Sequence, residues 1–319
     1  MGEKNILPSR TLARRLRSKM GNVLWSSIRI VKSALNINTE HRYSGFSITL
    51  PAHHLLPTFQ EQHKLYDRFL PHLGKYLEPK STVIDVGANC GDTLAAMYDA
   101  NPNLNFVCVE PDEICFDLLQ RNLLRIKAID ANASITAINA LAGKNVTNVS
   151  LEGSGGTQKA IIGGGGRSIA SESLDHIISV GKATNIRLLK SDVDGFDYDV
   201  IDSAESVLGM YSPIIFFECH FDHLFQKAGY EKTIENLACR GYANWVIFDN
   251  FGEVMLRTDD TRHIGQLFDY VWRQNAGGST RTVYYYDILA NTGKDDELIG
   301  RVVDDYIASN CIAGAVGLS

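Results

Sequence analysis

Residues 83–93 read VIDVGANCGDT, and this stretch decides the fold. An apolar run interrupted by Asp85 gives way to Gly87 and Gly91 on either side of Asn89, and Asp92 then opens a helical pattern. The order is strand, tight turn, helix. Glycine lets a backbone turn sharply and approach a ligand with no Cβ in the way. The helix behind the turn offers unpaired N–H groups.

The next strand-like run, NFVCVE, ends at Glu110 and is followed by Pro111 and Asp112. An acid at the tip of the second strand suits the two hydroxyls of a ribose. A glycine corner with a ribose acid beyond it reads as a nucleoside-cofactor site. A dinucleotide fingerprint would carry GxGxxG, but the turn here is Gly-Ala-Asn-Cys-Gly, without the middle glycine. Asp85 and Asp92 flank the seat a pyrophosphate would need and would repel it. They suit a ligand with positive charge and no phosphate, and S-adenosylmethionine is such a ligand.

Further strand-like runs follow outward from this corner. With Thr82–Val86 and Asn105–Glu110 they are Ile135–Asn139, Leu188–Asp192, Ile214–Glu218, Asn244–Asp249 and Val283–Ala290. Helical patterns at Thr93–Ala100, Ile114–Leu124, Tyr198–Leu208 and Thr233–Cys239 alternate with them. Short apolar runs alternating with helices predict an α/β fold, a parallel sheet covered on both faces. Residues 58–78 read as one helical stretch kinked at Pro71, a lid or cover over the sheet edge. The 140–187 connection is long, and seven of residues 153–166 are glycine. It is either a lid near the site or a permissive surface loop.

The bulk numbers narrow the function. A net charge of −6 argues against a general nucleic-acid binder. Residues 1–40 hold eight Lys/Arg against two acids, so the remainder carries −12. Within the basic stretch 9–35, Leu12, Leu16, Val23, Ile28 and Val31 share part of a helical face. Such an arm suits peripheral contact with an anionic membrane surface. Packing on the body, or on a second copy in a homo-oligomer, is the alternative. Six cysteines without CxxC or zinc spacing predict a reduced, cytoplasmic protein. No stretch spans a bilayer and no apolar signal segment opens the chain. The expected organisation is a basic arm (1–40), a helical lead-in (41–79), a catalytic domain (80–295) and a C-terminal helix and tail (296–319).

VIDVGANCGDT, then VEPDE, SESLDHII and LLKSDVDGFDYDVIDSA, in that order over roughly 80–250, resemble the FkbM family of S-adenosylmethionine-dependent methyltransferases. The resemblance implies a Rossmann-like class I methyltransferase fold, with seven strands and the last antiparallel. It also implies O-methylation of polyketides, sugars or lipid-linked glycans. YDRFLPHLGKYL and YYYDILA are similar to members found with surface-polysaccharide biosynthesis, which makes a carbohydrate hydroxyl the expected acceptor. Asp85, Gly87, Asn89 and Gly91 match the family's cofactor corner, Glu110 its ribose acid, and Asp192 and Gly195 its Asp-Val-Glu-Gly block. Asp194 stands where that block has Glu, one methylene longer.

O-methylation needs acceptor oxygen, methyl carbon and sulfur in line, and a group to take the hydroxyl proton. Ligands of such sheets sit beyond the carboxyl ends of the strands. There the sequence offers Asp192 and Asp194 on one strand and Glu218 and His220 on the next, with Asp222 and His223 just beyond. His220 is the expected general base because imidazole titrates near neutrality. A structural, hydrogen-bonded histidine is the alternative. Asp192 is the second candidate, as base or as a holder of cofactor, and His223 the third. Glu218 would need a raised pKa to serve equally well. Asp192, Glu218 and His220 are the groups around which Mg²⁺ would gather, although no metal is assigned. Pro111 and Ala140 are expected to border the adenosine. The run Tyr284-Tyr285-Tyr286 either stacks on a sugar or forms a strand with one buried face. Two other readings stay open: an NAD(P)-linked oxidoreductase, and a catalytically silent cofactor-binding subunit of a biosynthetic complex.

Overall fold

The structure, a computed structural model, describes residues 37–52, 54–144, 149–152, 159–162, 170–276 and 283–315. The basic arm and the glycines of 153–166 lie outside the described residues. No described helix is long and apolar enough to cross a membrane.

The lead-in opens on a feature the sequence reading did not contain, an antiparallel hairpin of β1 (Thr39–Arg42) and β2 (Ser47–Leu50). Its inner residues Ile48 and Leu50 are fully buried against Cys90, Ala95 and Leu118. Residues 58–78 are not one kinked helix. They give α1 (Leu56–Gln62) and α2 (Phe69–Gly74), with Pro71 in the first turn of α2. The missing N–H of proline costs nothing there. This lead-in also does not cover the sheet edge. Phe69 packs on Phe248 (4.4 Å between ring centroids), Tyr306 (5.2 Å) and Phe216 (5.9 Å), over the middle of one sheet face.

The main sheet is built from β3 (Thr82–Val86), β4 (Asn105–Val109), β5 (Ile135–Ile138), β10 (Ile186–Ser191), β11 (Ile214–Cys219), β12 (Tyr242–Asp249), β13 (Val254–Thr258) and β14 (Tyr286–Thr292). Between β5 and β10 lie β6 (Leu141–Ala142) paired with β9 (Ser171–Glu172), and a hairpin of β7 (Val149–Glu152) and β8 (Lys159–Ile162). The main-sheet order is β13-β12-β14-β11-β10-β3-β4-β5. Strands β3, β4, β5, β10 and β11 pair in parallel, and β14 runs antiparallel between β11 and β12. This is the expected Rossmann-like class I methyltransferase arrangement. It carries an eighth strand, because β13 extends the edge by folding back on β12.

Every residue of β3 is buried, as a central strand with both faces covered requires. Helices α3 (Asp92–Ala100), α4 (Glu113–Ile129) and α10 (Asp296–Ala315) join α2 on one face, contributing Leu94, Met97, Leu119, Leu123, Val302 and Val303. The other face carries α5 (Leu174–Gly181), α6 (Asp197–Asp202), α7 (Glu205–Tyr211), α8 (Leu224–Cys239) and α9 (Thr261–Ala276), with Ile177, Val200, Val207, Ile234 and Phe268 inside. The expected single helix Tyr198–Leu208 is two, separated at Ser203 and Ala204. All five parallel strands therefore present their carboxyl ends to the same rim.

Candidate active site

The corner after β3 alternates left-handed and ordinary residues: Gly87 (φ 75°), Asn89 (φ 48°) and Gly91 (φ 86°). Asn tolerates that region better than other residues with a Cβ, which explains its place between the glycines. A Cβ on Gly87 would fall 1.9 Å from the Asp192 carbonyl oxygen. The corner and the loop after β10 thus pack backbone against backbone. Asp192 N–H donates to Val86 O at 3.1 Å beside this contact.

Glu110 joins the corner to the tip of β4. Its Oε2 accepts Asn89 N–H at 2.8 Å and its Oε1 accepts Asp112 N–H at 2.9 Å. Burial pushes its carboxyl up to about 7, against the pull of those two donors. Asn139 donates to the carbonyls of Glu110 (2.8 Å) and Pro111 (3.2 Å), tying the tips of β4 and β5 together.

Behind the corner lies a buried ion pair that the sequence reading did not contain. Lys190 Nζ sits 2.9 Å from Asp85 Oδ1, 3.2 Å from Gly87 O and 3.6 Å from Asp192 Oδ2. Burial alone would push this ammonium down. Asp85 and Asp192 outweigh it and hold Lys190 charged. Two sequence assignments change as a result. Asp85 does not line the cavity over the corner; it is 1% exposed and paired with Lys190. Gly91 does not touch the cavity either; it caps α3, and a Cβ there would meet Leu119 Cδ1 at 2.7 Å.

A cavity of about 380 Å³ opens over the corner. Gly87, Asn89, Glu110, Pro111, Ala140, Asp192 and His220 all line it. So do Phe59 and Tyr66 from the lead-in and Tyr284 and Tyr285 from the segment before β14. The tyrosine run is divided: only Tyr286 enters the strand, where it is fully buried. Seven carboxylates face the cavity, those of Asp67, Asp92, Glu110, Asp192, Asp194, Glu218 and Asp287, against one lysine.

The His220 end of the cavity is held by two buried polar residues. Gln226 Oε1 accepts the N–H groups of Asp222 (2.9 Å) and His223 (3.0 Å), while its Nε2 donates to Gly195 O at 3.2 Å. This staples the loop after β11 to the loop after β10. Asp197 accepts from Ser191 Oγ (2.6 Å), Tyr230 OH (3.1 Å) and Val193 N–H (3.2 Å), shaping the second loop from beneath. Both signals are tertiary, and neither shows in residue spacing.

His220 stands between two carboxylates, with Nδ1 3.8 Å from Glu218 and Nε2 3.4 Å from Asp222. Its Nε2 is shielded from solvent. Burial, with Asp192, Asp287 and Asp194 nearby, raises the Glu218 carboxyl well above its ordinary range. His223 does not line the cavity; it is exposed and stacks on Phe225 (5.4 Å, 11°). Among the described residues two groups gather closely enough for a metal, His54 with Cys90 and Asp92, and, at the β10–β11 end, Asp194 with Glu218 and His220, the ligand atoms of each lying within 4.8 Å of one another. Asp192, expected in the second set, instead leans toward Lys190.

The methyltransferase FkbM domain matches residues 85–255. Among solved structures, a methyltransferase FkbM from Methylobacillus flagellatus KT is 17% identical, with a TM-score of 0.35, over 51% of this chain and 48% of that one. The chain thus spans about half the length of that protein. A precorrin-6y C5,15-methyltransferase from Geobacter metallireducens GS-15 is 13% identical, with a TM-score of 0.38, over 70% of this chain and 86% of that one. A human methyltransferase 10 domain containing protein is 10% identical, with a TM-score of 0.44, over 84% and 95% respectively. No curated protein matches the sequence.

Proposed function

The chain belongs to the methyltransferase FkbM family, and from that premise we propose that it transfers a methyl group from S-adenosylmethionine to a hydroxyl oxygen of a carbohydrate acceptor. The observation that carries the cofactor assignment is the Glu110 carboxylate, fixed by two backbone donors at the mouth of the glycine corner. Each oxygen keeps a lone pair for a ribose hydroxyl. The cavity volume lies in the range of about 300–1,000 Å³ usual for small-molecule sites. Its acid surplus suits a sulfonium and an ammonium. A pyrophosphate would have to sit beside Asp92 and Asp192, and among the described residues the one lysine lining the cavity, Lys190, is already paired with Asp85, which argues against NAD(P).

The residues present fit the cofactor as follows. Glu110 would hold the ribose, Pro111 and Ala140 would border the base, and Gly87 and Asn89 would present backbone toward it. When bound, S-adenosylmethionine supplies an electrophilic methyl and a neutral thioether leaving group. The protein's share is alignment and proton removal. His220 takes the hydroxyl proton at Nδ1, because Nε2 is shielded beside Asp222. Glu218 and Asp222 stabilise the imidazolium that forms. With the methyl and its thioether leaving group supplied by the bound cofactor, the hydroxyl proton would remain on His220.

The test is to incubate the protein with methyl-tritiated S-adenosylmethionine and glycan fractions of a lysate. Label in a base-stable ether of a carbohydrate supports the reading. Cofactor binding without transfer to any fraction would favour the silent-subunit alternative.

A further inference from the structure

The cavity wall away from Glu110 carries Tyr66, Asp67, Glu218, Tyr284, Tyr285 and Asp287. Strand register sets Glu218 directly opposite Asp287. Cross-strand partners leave the sheet on the same face with Cβ atoms about 5 Å apart. Both carboxylates therefore enter the cavity side by side. Neither these two nor Asp67 forms an ion pair with Lys or Arg among the described residues. The lysine on the cavity wall is held by Asp85 and Asp192. The ring of Tyr285 stands beside this pair, 6.3 Å from the His220 ring centroid, and packs edge-on against Tyr284 at 5.0 Å.

We propose that the acceptor is an amine-bearing carbohydrate, whose ammonium is held by Asp287 and Glu218 while Tyr285 and Tyr66 face its ring. This rests on the methyl-transfer reading above and names the acceptor's charge class. Two adjacent shielded carboxylates repel each other when both are ionised. A cation between them removes that conflict. An ammonium brings three donors, enough for both carboxylates and a hydroxyl, and it is attracted to aromatic faces. A neutral sugar leaves the pair uncompensated. A uronate or a phosphorylated sugar adds negative charge to a wall that already has a surplus. A bare divalent ion is the competitor, but neither group of described residues close enough to hold one, Asp194 with Glu218 and His220 or His54 with Cys90 and Asp92, includes Asp287. Asp287 therefore separates the two cases.

The experiment is calorimetric. S-adenosylhomocysteine is titrated first, and the saturated complex is then titrated with glucosamine, N-acetylglucosamine and glucuronate in the presence of EDTA. Glucosamine should bind at least about tenfold more tightly than N-acetylglucosamine, with glucuronate weakest. The Asp287→Asn variant should lose that preference while keeping its affinity for S-adenosylhomocysteine. Equal affinities for the three sugars, no measurable binding of glucosamine, a preference that survives Asp287→Asn, or a requirement for added Mg²⁺ would each overturn the assignment. Failure to bind S-adenosylhomocysteine would instead remove the methyl-transfer reading on which it rests.

Discussion

Replacing Lys190 by Met tests the buried pair beneath the corner. The substitution keeps the side-chain length and removes the charge that faces Asp85 at 2.9 Å. With Asp85 only 1% exposed, an ionised carboxylate left alone there would be destabilising by about 3–5 kcal/mol. A second route limits the loss, since Asp85 can fold protonated. The unfolded chain ionises that carboxyl near 3.9, so holding it neutral at pH 7 costs about 1.4 kcal/mol for each of roughly three pH units, or about 4 kcal/mol. At pH 5 the same cost is about 1.5 kcal/mol. The sign follows from linkage. In the variant the folded-state pKa of Asp85 lies above its unfolded value, so stability is retained at low pH and lost as pH rises. In the wild type burial already raises the Asp85 carboxyl above its ordinary range and Lys190 pulls it back down, so the same dependence is present but weaker. Unfolding entropy of about 2.1 cal/mol/K per residue makes 1 kcal/mol worth about 1.5 °C in this chain. Thermal unfolding of Lys190→Met should therefore fall by about 6 °C at pH 7 but only about 2 °C at pH 5. The double variant Lys190→Met/Asp85→Asn should remove the pH-dependent part altogether. Equal losses at the two pH values, or a pH dependence that survives in the double variant, would refute the reasoning.

Other outcomes follow from the same geometry. Gly87→Ala places a Cβ 1.9 Å from Asp192 O at φ 75°, so both the melting temperature and the affinity for S-adenosylhomocysteine should drop, the latter by more than about tenfold. His220→Gln should keep that affinity while methyl transfer to the identified acceptor falls by about 10²–10⁴; undiminished transfer would remove His220 as the base. Burial pushes Asp197 up to about 7 despite the donors Ser191, Tyr230 and Val193. As a carboxyl with a raised folded-state pKa, it contributes stability that is present below about pH 4 and lost as pH rises toward 7. The gap in melting temperature between wild type and Asp197→Asn should accordingly change over that window and be flat outside it.

The parts of the fold legible in sequence were those written in local pattern. The corner from Val83 to Thr93 combines an apolar run, alternating small residues and a helix start, all within eleven positions. Glu110 was legible because strand ends in such sheets converge on one rim. Asp85 was not, because its meaning depends on Lys190, about a hundred positions away. A lysine at the end of a strand reads as a solvated terminus until the neighbouring strand is known. The hairpin Thr39–Arg42/Ser47–Leu50 was missed for a similar reason. It is held by Asn122, which bonds the backbone N–H and carbonyl of Thr49 (2.8 and 2.9 Å) and donates to Cys90 O (2.8 Å). The last strand begins at Tyr286 rather than Val283. Three consecutive tyrosines give no alternation from which to fix a boundary, and that shift is what turns Tyr284 and Tyr285 toward the cavity. Asp194 takes the place of Asp192 near Glu218 and His220 because the loop doubles back there, with Asp194 at φ 52°. A turn of that kind breaks the alternation of side chains along a strand.

The central claim is that the corner and Glu110 together hold a cationic, phosphate-free nucleoside. Calorimetric titration of the protein with S-adenosylmethionine and, separately, with NAD tests it most directly, with Glu110→Ala as the control. One equivalent of S-adenosylmethionine should bind, NAD should not, and Glu110→Ala should weaken the first by about ten- to a hundredfold. Binding of NAD in its place, or S-adenosylmethionine binding that is indifferent to Glu110, would contradict the account.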